Sequence, residues 1–411
     1  MIQEFKKIWK QYAITMLWLL GILWPLLGIH PDGTLSFRQT FTVWSYILAG
    51  TFICFIFYII NKSGNFKLLT EPITNTSQKL NNSLQSMPSW IWKSALLFGA
   101  VIYPIATGRY ATDVAINVLL YVSLGLGLYV VVGLAGMLDL GHIAFYGVGA
   151  YTYAILNVKY GLGFWVCFPF AGLSACIAGC IVGYPTLKMR GDYLAIVTLG
   201  FGEIVRIILN NWMSLTNGPN GILGVKSVSL LRPVMENGFS FEVFWVTKLE
   251  IFYYFALGLA ILTIVAVTRL GFSRIGRAWE AIREDETAAE LMGVNTFYYK
   301  LLAYAMGAIF AGFAGALFAA RMRFVSPESF TFLESVMLLC MVVLGGMNSI
   351  PGIILGVIAL IALPEVFRGL ESYRMLVFGS TMVIMMLFRP SGLIAAKRKK
   401  MMETKQPEER G

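Results

Sequence analysis

VAINVLLYVSLGLGLYVVVGLAGM, residues Val114–Met137, contains no charged side chain. An α-helix rises about 1.5 Å per residue, so about 20 apolar residues cross a hydrocarbon core of about 30 Å. Comparable runs recur at Tyr12–Ile29, Thr42–Ile60, Phe164–Tyr184, Ile251–Val267, Leu301–Ala320 and Met375–Phe388. Of the 411 residues, 57% are hydrophobic and 13% charged. A soluble domain is about 45–50% apolar and about 25% charged. A transmembrane β-barrel needs alternating strands of about ten residues, and no such alternation is present. The chain therefore reads as an all-α polytopic membrane protein, a bundle of about 10–12 transmembrane helices.

Spans are drawn at residues 11–29, 43–61, 93–108, 113–136, 142–158, 162–185, 192–210, 249–268, 299–320, 331–349, 351–367 and 373–389. Residues 142–158 and 351–367 are short or glycine-rich, and either cross the membrane or re-enter it. Lysine and arginine in short loops mark the cytoplasmic side. Lys6, Lys7 and Lys10 place the N-terminus there, as Lys397, Arg398, Lys399 and Lys400 place the tail. The same rule puts Lys188 and Arg190 inside, residues 269–298 inside and residues 211–248 outside. Three regions follow: a two-helix extension with a polar linker (1–92), a transmembrane domain (93–396) and a basic tail (397–411). The first apolar run follows basic residues as a signal peptide would. It is long and lacks a small-residue cleavage site, so it reads as a retained helix.

A net charge of +10 fits basic cytoplasmic ends. It does not fit nucleic-acid binding, because no polar domain interleaves basic and aromatic residues. Cys54, Cys167, Cys176, Cys180 and Cys340 all lie in apolar runs and read as packing residues. No phosphate-binding glycine loop, nucleophile elbow or metal constellation appears. The chain reads as neither an enzyme nor its own ATPase, and it carries no cofactor.

One segment breaks the apolar pattern. GRAWEAIREDETAAELMGV, Gly276–Val294, carries Arg277, Glu280, Arg283, Glu284, Asp285, Glu286 and Glu290 between two long apolar runs. At the bilayer centre each charge would cost about 2.5–3.5 kcal/mol on insertion scales, so the segment belongs in water. It reads as one or two short amphipathic helices. Ala281, Ile282, Ala288, Ala289, Leu291 and Met292 offer a small or apolar face. Glu280–Arg283 and Arg283–Glu286 are spaced i,i+3 for pairing, and Gly293 is placed to cap the end. Such a face suits either a groove on a soluble partner or a self-paired solvated loop.

Ala288-Ala289-Glu290-Leu291-Met292-Gly293 resembles the Ala-Ala-x-x-x-Gly core of the coupling loop of ABC importer permeases, with Thr287 where that family has glutamate. Three further stretches sharpen the likeness. They are GMLDLGHIAFYGVGAY (Gly136–Tyr151), RGDYLAIVTLG (Arg190–Gly200) followed by NGPNG (Asn217–Gly221), and the region from Phe324 through SPESF (Ser326–Phe330) to LGGM (Leu344–Met347). In this order they resemble the branched-chain amino-acid (leucine/isoleucine/valine) ABC importer permeases of the longer M-type. The resemblance covers residues from about 95 to 395.

The resemblance implies a coupling loop at Gly276, Glu280, Arg283, Glu286, Ala288, Ala289 and Gly293 that seats in an ATPase subunit. It also implies two ATP-binding-cassette partners holding Mg-ATP, a second homologous permease subunit, an external soluble binding protein and a place in the bacterial inner membrane. A urea or short-amide ABC permease is the alternative within the class. An ion-coupled secondary transporter is the alternative outside it, but it would need intramembrane acids, and few are available.

Candidates for the translocation path are Gly141, Gly147 and Gly149, which suit tight helix packing or unwound backbone, and Glu203 with Arg206, spaced as an internal ion pair. Asp139 is expected to cap the helix after it. Ala308, Ala311, Gly312, Gly315, Ala316 and Ala319 form a small-residue packing stripe. An acidic residue in place of Ala289 is expected to spoil the docking face and spare membrane insertion.

Overall fold

The structure is a computed structural model, and it describes residues 89–366 apart from 187–188, 190, 235–239 and 247. The first two spans, the linker before residue 89, the last span, the basic tail and Lys188 with Arg190 lie outside the described residues. From Leu96 onward the described residues belong to the compact unit Leu96–Gly411.

Helix α1 covers Ser89–Ala106, and α2 covers Arg109–Tyr129 and continues as a π-turn over Val130–Leu134. Then follow α3 (His142–Tyr160), α4 (Phe164–Thr186), α5 (Asp192–Asn211) and α6 (Leu249–Phe272). Two short helices, α7 (Arg274–Glu284) and α8 (Glu286–Leu291), hold the charged segment. The chain goes on through α9 (Thr296–Met322), α10 (Phe332–Gly345) and α11 (Ile350–Val366). Six segments among the described residues are long and apolar enough to cross a membrane. They include α2 with its π-turn, α4, α6, α9, most of α5, and α10 with the turn before it. Helices α1, α3 and α11 form where spans were drawn but are not among these six.

Among the described residues, the strands lie at the end of the bundle away from the charged segment. Strand β1 (Ile222–Leu223) pairs antiparallel with β4 (Phe324–Val325), with Ile222 opposite Val325. Strands β2 (Ser229–Val234) and β3 (Ser240–Trp245) form an antiparallel ladder, with Ser229 opposite Trp245. The loop drawn at 211–248 is therefore partly ordered by backbone pairing.

Helix α9 is the axis of the bundle and lies against α4, α3 and α2. Its stripe of alanine and glycine is why it can. A Cβ on Gly312 would stand 2.6 Å from the Ala171 carbonyl oxygen and 2.6 Å from the Ala175 Cβ. A Cβ on Gly307 would stand 2.8 Å from the Gly127 carbonyl oxygen. One on Gly315 would overlap the Tyr146 carbonyl. Lipid offers helices no hydrophobic gain for associating, so close backbone approach through small residues does that work.

Helix α3 is continuous. Before it, the Leu140 N–H donates to Thr198 Oγ1 at 3.1 Å, and near its end Lys159 Nζ donates to the Ser214 carbonyl at 2.6 Å. It thus follows α5 from its second turn to beyond its last. Helix α10 differs. Its 14 residues rise only about 21 Å, and the turn Pro327–Phe330 carries the chain down into the bundle before α10 begins. There the Phe330 ring packs on Tyr146, Tyr151 and Phe318.

Gly315→Val should lower the thermal unfolding midpoint of the detergent-solubilised protein by the equivalent of about 1–3 kcal/mol. Gly258→Val, where nothing lies within 4 Å, should leave the midpoint in place. Equal midpoints for the two variants would show that the α9–α3 contact is not close.

Candidate functional site

The charged segment is a built structure. Ser273 caps α7, its Oγ accepting from the Gly276 N–H at 3.3 Å. A Cβ on Gly276 would stand 2.5 Å from the Gly271 carbonyl oxygen, so glycine is what lets α7 fold back on the end of α6. Trp279 is fully buried and its Nε1 donates to the Tyr299 carbonyl at 2.7 Å. That indole pins α7 to the first turn of α9. Asp285 caps α8, with Oδ1 accepting from the N–H groups of Thr287 and Ala288 at 2.9 and 3.0 Å. After α8, Gly293 takes a left-handed φ of +84°, and its N–H donates to the Glu290 carbonyl at 2.9 Å.

The charge pairing differs from that read by spacing. Neither expected i,i+3 pair of Arg283 is the one it makes. Its Nη1 donates to the Gly133 carbonyl at 2.6 Å and to Asn348 Oδ1 at 2.7 Å, and its Nη2 lies 3.6 Å from Glu284. Glu286 pairs with Lys300 Nζ at 2.5 Å. For the second pair the reason is geometric: α7 ends at Glu284 and α8 starts at Glu286, so Arg283 and Glu286 are not on one continuous helix.

The apolar face is split in the same way. Ile282 and Ala289 are each 5% exposed and face the protein's own interior. Ala281 and Ala288 are exposed, and Leu291 and Met292 stand out at 84% and 85%. Exposed Glu280, Glu284 and Glu290 surround them. Ala289 therefore cannot report docking, because glutamate there would first disturb how α8 rests on the bundle. Leu291 and Met292 are the outward apolar residues.

The second candidate site lies where α3, α5 and α10 meet. A small cleft, with room for about one water molecule (≈ 10 Å³) in this conformation, is lined by Leu140, Ile143, Leu199, Glu203, Phe332 and Ser335, among others. Glu203 Oε2 accepts from Arg206 Nε at 2.9 Å, and both side chains are about 30% exposed. Gly141 is buried beside the cleft and touches the Thr198 carbonyl so closely that a Cβ would overlap it. Gly147 stands behind the cleft wall, where a Cβ would lie 3.1 Å from the Phe330 ring. Gly149 faces away, toward Gly312 of α9. Glu203 is thus brought to the cleft, Arg206 is tied to it, Gly141 and Gly147 shape its walls, and Gly149 is a helix-packing position.

Asp139 does something other than cap α3. It is buried, with Oδ1 accepting from the Gly141 N–H at 2.9 Å and Oδ2 at 3.2 Å from His142 Nδ1. It braces the turn that precedes the helix, while the helix boundary falls at Gly141, with no side-chain cap.

Several contributors had no sequence signal. Glu334, unremarkable in the sequence, accepts from Tyr121 Oη at 2.6 Å across a separation of 213 residues. Arg321 reaches Asn117 Oδ1 at 2.6 Å and Asp113 Oδ1 at 2.5 Å. Lys300, Asn348 and Phe330 likewise act through partners on other elements, which spacing rules cannot see.

Comparison with known proteins places this architecture. Residues 110–386 match the family described as the permease component of the branched-chain amino acid transport system. The chain belongs to that family. It is 44% identical over 370 residues, 86% of each chain, to the high-affinity branched-chain amino acid transport system permease protein LivM of Salmonella typhimurium. It is likewise 44% identical over 375 residues to LivM of Escherichia coli. Similarity to the permease protein LivH of Escherichia coli is lower, at 25% over 289 residues, 67% of this chain and 91% of that one. No solved structure matches the chain.

Proposed function

We propose that this chain is one membrane-spanning subunit of an ATP-driven importer of branched-chain amino acids. Its family and its likeness to LivM support that substrate class over urea or short amides, and they support a pump subunit over an ion-coupled carrier. The carrying observation is the charged segment. It is fastened to the bundle by Trp279 and the Glu286–Lys300 pair, and yet it exposes Leu291 and Met292. A rigid water-side protrusion with an apolar tip and an acidic rim is suited to a groove on a soluble motor.

In this reading two ATP-binding-cassette subunits hold Mg-ATP and dock on α7 and α8 through Ala288, Leu291 and Met292, with Glu280, Glu284 and Glu290 facing basic groups. This chain hydrolyses nothing itself. The α7–α8 end and both termini are cytoplasmic, and the membrane is the bacterial inner membrane. A second, similar permease subunit completes the path, as the weaker likeness to LivH would fit. A soluble binding protein lands on the β2–β3 end, which faces outward.

The amino acid passes the cleft. Its ammonium group meets Glu203, its carboxylate meets the N-terminal end of α10, where the helix dipole is positive, and its side chain meets Leu140, Ile143 and Phe332. Gly141 and Gly147 hold the walls close, and Gly149 seats α3 on α9.

Two measurements test this reading. The tagged chain, extracted in mild detergent, should bring down ATPase subunits and a sister permease identifiable by mass spectrometry. Leu291→Glu combined with Met292→Glu should lose the ATPase subunits and keep the sister permease, and undiminished ATPase recovery in that variant would refute the docking face. Glu203→Gln should reduce leucine uptake about tenfold or more, the loss of an ionic contact worth about 1.5–3 kcal/mol, with the complex intact. Wild-type uptake would remove Glu203 from the path.

A further inference from the structure

We infer that Arg283 is the positioning residue that links the ATPase-facing loop to the cleft, so that its loss separates ATP hydrolysis from transport. The inference rests on the docking of α7 and α8 proposed above.

Arg283 sits in the last turn of α7; its Nη2 lies 3.6 Å from Glu284, and its Nη1 reaches out of the charged segment. One nitrogen, Nη1, donates both to the Gly133 carbonyl and to Asn348 Oδ1. These acceptors belong to different elements. Gly133 lies in the π-turn that ends α2, and Asn348 in the turn between α10 and α11. A cation placed at the C-terminal ends of helices is favoured by their free carbonyls and dipoles.

The acceptor at Gly133 is available because α2 comes apart there. In an unbroken α-helix the Met137 N–H would serve the Gly133 carbonyl. Here it donates to the Val131 carbonyl at 3.0 Å, and the Ala135 N–H to the Val130 carbonyl at 3.3 Å. Arg283 fills the vacated place. Its stem runs over Gly136, which has a φ of +74°, and a Cβ on Gly136 would stand 2.5 Å from Arg283 Cγ. Gly133 also packs directly on the Met347 carbonyl. Three segments therefore converge on one guanidinium: the end of α7, the broken end of α2, and the α10–α11 turn.

Two of those segments lead to the cleft. From the broken end of α2 the chain runs through residues 135–141 to Leu140 and Ile143 on the cleft wall. From the α10–α11 turn, α10 runs back to Ser335 and Phe332 on the opposite wall. The loop is stiff on its own side because Trp279 is fully buried. A displacement of α7 by a docked motor would thus be delivered through Arg283 to both walls. Single-turn π-segments in helices are frequent at functional sites.

The test uses the full complex with its ATPase subunits in proteoliposomes. It reads leucine uptake per ATP hydrolysed, together with the stimulation of ATP hydrolysis by substrate-loaded binding protein. Coupling between two sites typically amounts to about 5–150-fold. Arg283→Ala should retain its ATPase subunits and hydrolyse ATP, but lose about fivefold or more in uptake per ATP and lose the stimulation as well. Arg283→Lys, which keeps the charge, should fall between Arg283→Ala and wild type, and so should Asn348→Ala. Combining Arg283→Ala with Asn348→Ala should be no worse than Arg283→Ala alone, because the two residues share one interaction.

Unchanged uptake per ATP in Arg283→Ala, or in Asn348→Ala should the former fail to assemble, would overturn the link. So would losses that multiply in the double variant. If the wild-type chain recruits no ATPase subunits, the docking reading fails first and the link falls with it. If it recruits them and Arg283→Ala stays coupled, only the link fails.

Discussion

Gly312 and Gly315 of α9 press against the backbones of α4 and α3 with no room for a methyl group. That contact sets the spacing of everything else. With α9 seated, Gly307 and Gly127 bring α2 to the same axis, and α3 is held between α9 and α5. In lipid this closeness is itself the stabilising interaction, because apolar side chains gain little by leaving hydrocarbon for protein. Larger residues along the stripe would push apart the helices whose ends form both candidate sites.

A tightly packed bundle can tolerate breaks in its helices that lipid would not. Non-helical backbone at membrane depth survives only where protein or a water-lined cavity satisfies its polar groups. The turn at 135–141 meets that condition through Asp139, which takes the Gly141 N–H, and Thr198, which takes the Leu140 N–H. Around the descending turn Pro327–Phe330 the Ser329 N–H donates to the Ser326 carbonyl at 3.2 Å and the Glu334 N–H to the Thr331 carbonyl at 3.1 Å, while Phe330 packs among aromatic rings. The cleft lies between these two breaks, and Arg283 lies at the far end of both elements. Local irregularity, polar lining and attachment to the charged segment are three aspects of one arrangement.

The charged segment shows how the same residues support different readings at different levels. Its short amphipathic helices and its terminal glycine follow from local rules, and the structure contains them. Its pairing and its outward face do not follow, because they depend on which neighbours the bundle supplies. Glu286 meets Lys300 and Arg283 meets Asn348. Ala289, which belongs to the apolar stripe by spacing, is turned inward by the seat that α8 takes on α9.

Sequence alone determined the class of fold, the approximate places of the described helices, the amphipathic charged segment and the family, since each depends on composition or on short-range pattern. An apolar run of bilayer length has few alternatives to a helix, and a charge cluster within such a chain has few places to go. Tertiary structure alone decided which glycines pack and which border the cleft, that Glu334 and Arg321 have partners, and that Arg283 reaches out of its own segment. Those outcomes depend on residues far apart in the chain being brought into contact, 65 positions apart for Arg283 and Asn348 and 213 for Tyr121 and Glu334. No periodicity of 3.6 residues carries that information.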